Sequence, residues 1–389
     1  MKQVGVLTAT RSEFGLLKPL IVRMLREDSF ETRVLVTGAH LSEEFGYTYK
    51  EISEAGIPIS AKIECVKTAG DSPRDVSDNM ARAITGFAEY FEANPLDMLI
   101  VLGDRYETLA VCIAAMNARI PIAHIHGGET TEGAIDEAAR HSITKMSLLH
   151  FPCTEIYRKR IIQMGEDPDR VFNVGALAVE NVLNTDYVSI EDLSRDLEFD
   201  LNGEYGVVTY HPITLEQDSG LSGFEAMMQA LDEFTNMKFI ITKANADTGG
   251  RKINSRIDEI VSKKENMVAV TSLGVRRYLS AVRGAAVVIG NSSSGVIEVP
   301  CLHVPTVNIG HRQGGRILPD SVICCEPNKK DIVNAIKRSV SPEFVREVKA
   351  MTNPFGDGHA SELIVSTLKK LFSSNEGLNI MKKFYDIDY

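Results

Sequence analysis

Between Leu102 and Lys145 the run LGDRYETLAVCIAAMNARIPIAHIHGGETTEGAIDEAARHSITK carries Asp104, Arg105, His124, His126, Glu129, Asp136, Arg140 and His141. Carboxylates and imidazoles are the side chains that exchange protons near neutral pH, and arginines among them suit an anionic partner. Each residue alone has an ordinary role, since an Asp after a strand caps the next helix and a buried His is often only hydrogen-bonded. Charged groups are seldom buried unpaired, so the density as a whole points to an enzyme.

A second set lies in the other half of the chain. Gly290-Asn-Ser-Ser-Ser-Gly-Val-Ile-Glu298 follows the apolar run AAVVI and opens a helix, so hydroxyls and free backbone N–H groups converge where a phosphate would sit. This selects Ser292 and Ser293 as phosphate ligands, and Glu298, one turn on, as an acceptor for ribose hydroxyls. TVNIGHRQGGR places Arg312 and Arg316 after another strand, beside glycines that let a ligand approach closely. Near the N-terminus ATRSEFG puts Arg11 between a strand and a helix, with Gly15 in the first helical turn, and it is not a G-x-G-x-x-G dinucleotide motif. Tyr210-His211-Pro212 ends a strand so that His211 projects from it, and Asn245 and Asp247 end the next one with groups able to reach a uracil or a ribose.

His124-x-His126 deserves separate weighing, because residues two apart on a strand share a face and such a pair can hold zinc. No second His cluster or Cys pair at ligand spacing completes a shell, so no metal is expected and the histidines are read as acid–base or structural groups.

The elements that must position these residues are legible as alternation. QVGVLTA, TRVLVTG, PISAKIE, DMLIVLGD, PIAHIHG, LLHFPCT and RVFNVGA read as strands, most of them separated by helical stretches such as 75–91 and 106–117. The chain turns acidic around 182–202, and a second series follows: GVVTYHP, KFIITKAN, MVAVTSL, AAVVIGNSS, TVNIG and SVICCEP. This pattern predicts an α/β protein of two Rossmann-like domains, 1–183 and 184–372, the second including a closing helix from about His359 to Phe372. Strand ends of such domains are expected to face a deep cleft holding the ligand. The tail 373–389 is expected to fray, or to dock Phe384, Tyr385 and Tyr389 on a partner subunit.

Composition narrows the function classes. The 389 residues are 44% hydrophobic with a net charge of −11, which argues against nucleic acid or an anionic membrane as the main partner. The six cysteines form no C-x-x-C pair, and no run approaches the roughly 18 apolar residues a spanning helix needs. A cytoplasmic protein without disulfides is expected.

With these segments in hand, the chain resembles the hydrolysing UDP-N-acetylglucosamine 2-epimerases of the sialic-acid type. The resemblance spans nearly the whole length and rests on TATRSEFG, VTGAHLSEEFGYTYKEI, GDRYE, HIHGGETTEGAIDEAARHSITK, YHP, GNSSSGVIEVP and GHRQGGR, in the family's order. It implies the GT-B fold, no cofactor, UDP-sugar and UDP as small-molecule partners, and a homodimer or homotetramer. The implied reaction removes UDP by anti elimination to 2-acetamidoglucal, followed by hydration to N-acetylmannosamine. It assigns Asp104 and Asp136 as catalytic carboxylates and His211 as a group near the leaving diphosphate. Arg11, Gly15, Arg105, Asn245, Ser292, Ser293, Glu298 and Arg312 are expected to hold UDP, with Arg140 and His141 in support. Many relatives have Glu where this chain has His126, and their following loop is one residue shorter. Either His126 or Glu129 is therefore expected to carry that acid–base role, and the exchange is consistent with a different sugar such as UDP-N,N′-diacetylbacillosamine.

Overall fold

A computed structural model of the chain describes residues 1–43, 45–66, 72–131, 135–212, 220–244, 250–373 and 379–387. Two compact units are present, one of Met1–Asn181 with Phe355–Tyr389 and one of Val182–Pro354.

The first unit is built on a parallel sheet of β1 (Lys2–Thr8), β2 (Phe30–Val36), β3 (Ile59–Lys62), β4 (Met98–Leu102), β5 (Ile122–Ile125) and β6 (Leu149–Phe151), in the order β3-β2-β1-β4-β5-β6. The strands are near-continuous apolar runs because both faces are covered. Along β4, Met98, Ile100 and Leu102 join one core while Leu99 and Val101 join the other. Order reverses between β1 and β4, so the C-terminal ends of these strands form a switch point, the usual ligand position in such sheets.

The second unit repeats the plan with β7 (Tyr205–Thr209), β8 (Lys238–Thr242), β9 (Met267–Val270), β10 (Val287–Gly290), β11 (Thr306–Ile309) and β12 (Val322–Cys325), ordered β12-β11-β10-β7-β8-β9 and all parallel. Counted from its own first strand this is the same winding as the first unit. Gly290 marks its switch point: its φ is +139°, and a Cβ there would lie 1.9 Å from the Thr209 carbonyl oxygen. Only glycine fits.

Three expectations need correction. RVFNVGA is not a ladder strand: Val171 makes an isolated bridge with His150, and although Phe172 N donates to the His150 carbonyl at 2.9 Å and Val174 N to the Pro152 carbonyl at 3.1 Å, Pro152 has no N–H to return a bond. The closing helix Ala360–Phe372 belongs to the first unit rather than the second. Its Ala360, Ile364, Val365 and Leu368 share a core with Leu17, Leu20, Ile21 and Met24 of the helix Arg11–Met24. Burial of each larger apolar side chain contributes roughly 1.5–3 kcal/mol, and buried Glu180 adds a polar lock by accepting from Ser361 N at 2.8 Å and Ser361 Oγ at 2.5 Å.

The third correction concerns the tail. Tyr385 N donates to the Gly165 carbonyl at 3.0 Å, and Lys382 reaches buried Glu166 at 2.7 Å, so residues 379–387 are strapped to their own unit. Phe384 stays largely exposed with Lys145 over its ring, while Tyr389 lies outside the described residues. Among the described residues no helix is long and apolar enough to cross a membrane.

Candidate active site

In the first unit the ionisable residues gather at the C-terminal ends of β4 and β5. Asp104 and Arg105 follow β4 directly, and Asp136 opens the helix Asp136–Met146, where the orphan N–H groups of a first turn favour an anion. The hub is Arg140, one turn further along and only 3% exposed. Its Nη1 donates to the Glu129 carbonyl at 3.0 Å and to Glu137 Oε2 at 2.9 Å. Its Nη2 donates to Thr131 Oγ1 at 2.8 Å and pairs with Asp104. A guanidinium with its fixed fork suits this work. Arg140 is thus a support for Asp104 rather than a group presented to a ligand.

Glu137, which the sequence reading passed over, ties the network together. It accepts from Arg140, from His141 Nε2 at 3.1 Å and from Thr131 N at 2.6 Å. Burial pushes its carboxyl up, but the Thr131 N–H, His141 and Arg140 together outweigh that and hold it below the ordinary value. Asp136 goes the other way. Burial raises it, and the neighbouring Asp104 raises it further against the pull of Arg105 and Arg140. Two nearby carboxylates in unlike settings are the pattern of a site that divides acid and base work.

Arg105 is bound to Glu107 by Nε at 3.1 Å and Nη2 at 3.0 Å; Glu107 is buried, which fixes the guanidinium beside the cluster. Arg11 starts the helix Arg11–Met24 and pairs with Glu51 at 3.0 Å across an exposed surface. A Cβ at Gly15 would meet nothing within 4 Å, so the packing of this unit does not require glycine there.

Behind Arg11, Thr10 and Glu13 form a capping box, with Glu13 Oε2 accepting from Ala9 N at 2.7 Å. Burial pushes the Glu13 carboxyl up to about 7. A carboxyl raised in the folded state stabilises fully below its ordinary pKa and loses that contribution as pH rises through about 7. Between pH 5 and pH 8 the melting temperature of Glu13→Gln, which keeps an acceptor without a charge, is therefore expected to gain on that of the wild type. Differential scanning calorimetry of both proteins across this range checks it.

His124 and His126 part company. His124 is fully buried, donates from Nε2 to the Gly103 carbonyl at 2.7 Å and faces Thr144 Oγ1 with Nδ1, and burial lowers it to about 3. It is a neutral tie between β4, β5 and the helix Asp136–Met146. His126 sits just past the strand at φ +64°, which turns its ring away from the alternation, and Nδ1 lies 3.0 Å from Glu129 Oε1. The two rings therefore do not form a pair. Gly128 allows the turn: a Cβ there would lie 2.5 Å from the Tyr157 carbonyl oxygen.

In the second unit the selected residues cluster around Asn291, which is fully buried and was also passed over. Its side chain accepts from His211 N at 2.7 Å and donates to the His211 carbonyl at 2.9 Å. Its own carbonyl accepts from Arg312 Nη1 at 3.1 Å and Gln313 Nε2 at 2.9 Å. The ends of β7, β10 and β11 are pinned together by this one residue. Ser292 and Ser293 follow it, but the helix they open, Ser294–Ile297, is a single turn, so hydroxyls and local N–H groups outweigh any macrodipole there. Burial raises Glu298 above the ordinary carboxylate range. The loop carrying Arg316 lines a cavity of about 550 Å3 with Cys324 and Arg338. Asn245 and Asp247 lie outside the described residues.

Residues 23–369 match the family model described as UDP-N-acetylglucosamine 2-epimerase. The chain is 40% identical over 344 residues, 88% of each protein, to the GDP/UDP-N,N′-diacetylbacillosamine 2-epimerase (hydrolyzing) of Campylobacter jejuni. The chain belongs to the UDP-N-acetylglucosamine 2-epimerase family. As members of this family are enzymes, so is this protein. It is also 36% identical to the polysialic acid biosynthesis protein P7 of Escherichia coli, over 100% of this chain and 98% of that protein. Its fold is that of the UDP-GlcNAc 2-epimerase from Neisseria meningitidis bound to UDP-GlcNAc, with a TM-score of 0.76 and 18% identity over 95% of this chain and 100% of that one. With its two six-stranded Rossmann-like units the chain has the GT-B type of two-domain α/β fold.

Proposed function

We propose that the protein is a hydrolysing 2-epimerase that converts UDP-N-acetylglucosamine and water to N-acetylmannosamine and UDP. A base removes the C2 proton, the C1–O bond breaks anti to it, and UDP leaves with the electron pair to give 2-acetamidoglucal. Water then adds across the double bond, its proton to the opposite face of C2 and its hydroxyl to C1. The observation that carries this reading is the Asp136–Asp104–Arg140 group, one raised carboxyl beside a carboxylate held in an ion pair.

Asp136 serves as the C2 base, since a raised carboxyl is the better proton carrier near neutral pH. His126, oriented through Nδ1 by Glu129, leaves Nε2 for proton exchange at the sugar in the hydration step. Arg11, Arg105, Ser292, Ser293, Arg312 and His211 bind and neutralise the diphosphate as it departs, and Glu298 takes the ribose. No metal or nicotinamide enters these steps. The protein works as a homo-oligomer in the cytoplasm.

A second substrate, UDP-N,N′-diacetylbacillosamine, is favoured by the 40% identity to a relative named for it. Turnover of UDP-N-acetylglucosamine in heavy water is expected to give N-acetylmannosamine carrying deuterium at C2, and unlabelled product would end the elimination reading. Comparison of kcat/KM for the two UDP-sugars chooses the substrate. His126→Gln and Glu129→Gln are both expected to lower kcat with little change in UDP affinity.

A further inference from the structure

Cys153 has no part in the scheme above, yet its thiol lies against the His126–Glu129 pair. β5 and β6 run parallel as neighbours, so the residues just beyond their C-terminal ends, His126 and Cys153, emerge on one side. Cys153 Sγ is 3.4 Å from Glu129 Oε1, the oxygen that lies 3.0 Å from His126 Nδ1, and an imidazole nitrogen of His126, a Glu129 carboxylate oxygen and the sulfur all lie within 4.8 Å of one another. Cys153 is 2% exposed, and the side chains of His126 and Glu129 are 12% and 16% exposed. One imidazole nitrogen, one carboxylate oxygen and one sulfur converge in a nearly dry pocket.

This donor set has a chemical preference. Nitrogen, oxygen and thiolate together suit a borderline-soft divalent cation, with zinc foremost, whereas magnesium and calcium take oxygen shells. Ligands at about 2.0–2.3 Å from a tetrahedral zinc stand roughly 3.3–3.7 Å apart. Two of the three separations here are within a few tenths of an ångström of that range, and small side-chain movements close the third. Three protein ligands leave a fourth position open, as in zinc sites that bind water or a small ligand. The alternative arrangement is a carboxylate that accepts from Nδ1–H and from S–H, the latter a weak donor.

We propose that His126, Glu129 and Cys153 form a binding site for a zinc-class divalent cation, and that its occupancy stops turnover by withdrawing His126 and Glu129 from proton exchange. Binding releases the Cys153 thiol proton to solvent, and the imidazole proton moves to Nε2, so that Nδ1 and the thiolate coordinate. Inhibition rests on the roles given to His126 and Glu129 above; metal binding does not.

The test uses the full chain, stripped with chelator and titrated with cobalt as a spectroscopic stand-in for zinc. One equivalent of cobalt is expected to give a thiolate-to-metal charge-transfer band with the visible absorption of a four-coordinate ion. Cys153→Ala and Cys153→Ser are expected to lose the thiolate band while keeping basal kcat within twofold. Zinc is expected to inhibit the wild type, and Cys153→Ala to weaken that inhibition at least tenfold, since even outer partners of a metal site typically carry a factor of about 10–100. Absence of the band in the wild type, or its persistence in Cys153→Ala, overturns the site. Loss of the band with zinc inhibition unchanged leaves the site standing and overturns its link to turnover. Full activity of His126→Gln and Glu129→Gln without metal would instead fault the acid–base roles.

Discussion

Asp136→Asn is expected to lower kcat by roughly 10²- to 10⁴-fold, the usual worth of a positioned acid–base group, while UDP affinity stays within a few-fold. The amide keeps the size and the helix-start position of Asp136 but cannot take a proton. Steady-state kinetics with UDP-N-acetylglucosamine, alongside calorimetric titration of UDP, separates the two quantities. The pH profile carries the same argument. Asp136 must be ionised to act as base, so kcat/KM falls as pH drops through its pKa, and burial with Asp104 nearby puts that limb above the ordinary carboxylate range. Asp104→Asn removes the neighbouring negative charge. Whatever activity remains in it should show the acid limb at lower pH than the wild type.

The second large effect falls on stability. Glu166→Ala is expected to destabilise the protein by about 1–3 kcal/mol, the cost of leaving buried hydrogen-bond partners unsatisfied. Glu166 is 2% exposed and meets Lys145 at 2.6 Å, His150 at 3.0 Å and Lys382 at 2.7 Å. Burial alone would raise its carboxyl, but hydrogen bonds from His150, Lys145 and Lys382 overcome that and hold it at about 2. A depressed carboxyl stabilises fully above its ordinary pKa and loses that contribution as pH falls toward about 2. Urea unfolding midpoints should therefore drop on acidification in the wild type, and less steeply in Glu166→Gln. Lys382→Met is the milder variant, since Lys145 and His150 remain, and its first sign should be faster hydrogen exchange at the Tyr385 amide.

The sheets were legible because fully buried parallel strands are short apolar runs closed by turn residues, and MLIVLGD and AAVVIGN have that form without ambiguity. RVFNVGA has the same alternation, and its neighbour denies it a full ladder, since Pro152 beside it carries no N–H. The closing helix was read correctly as a helix but given to the wrong unit, because an amphipathic stripe says that a face is buried and not against what. In the site, Asp104, Asp136 and Arg140 announced themselves by type. Glu137 and Asn291 did not, since a Glu in a first helical turn and an Asn after a strand are ordinary capping and turn residues. Cys153 was invisible as a partner of His126: the contact arises from strand adjacency across 24 residues between Glu129 and Cys153, which no local spacing rule encodes. The shared face expected of the two H-x-H histidines failed for a local reason, the left-handed backbone at His126.

The first unit is completed only by residues 355–389, after the whole of the second. Ala176 N already donates to the Phe355 carbonyl at 2.7 Å, so the chain departs and returns at neighbouring points. On the ribosome, 182–354 emerge entire while the amino-terminal sheet still lacks the helix that covers Leu17, Leu20 and Met24. The inserted unit can mature first, and the nascent amino-terminal part must wait with an uncovered apolar face, the stage at which a growing polypeptide most needs chaperone protection.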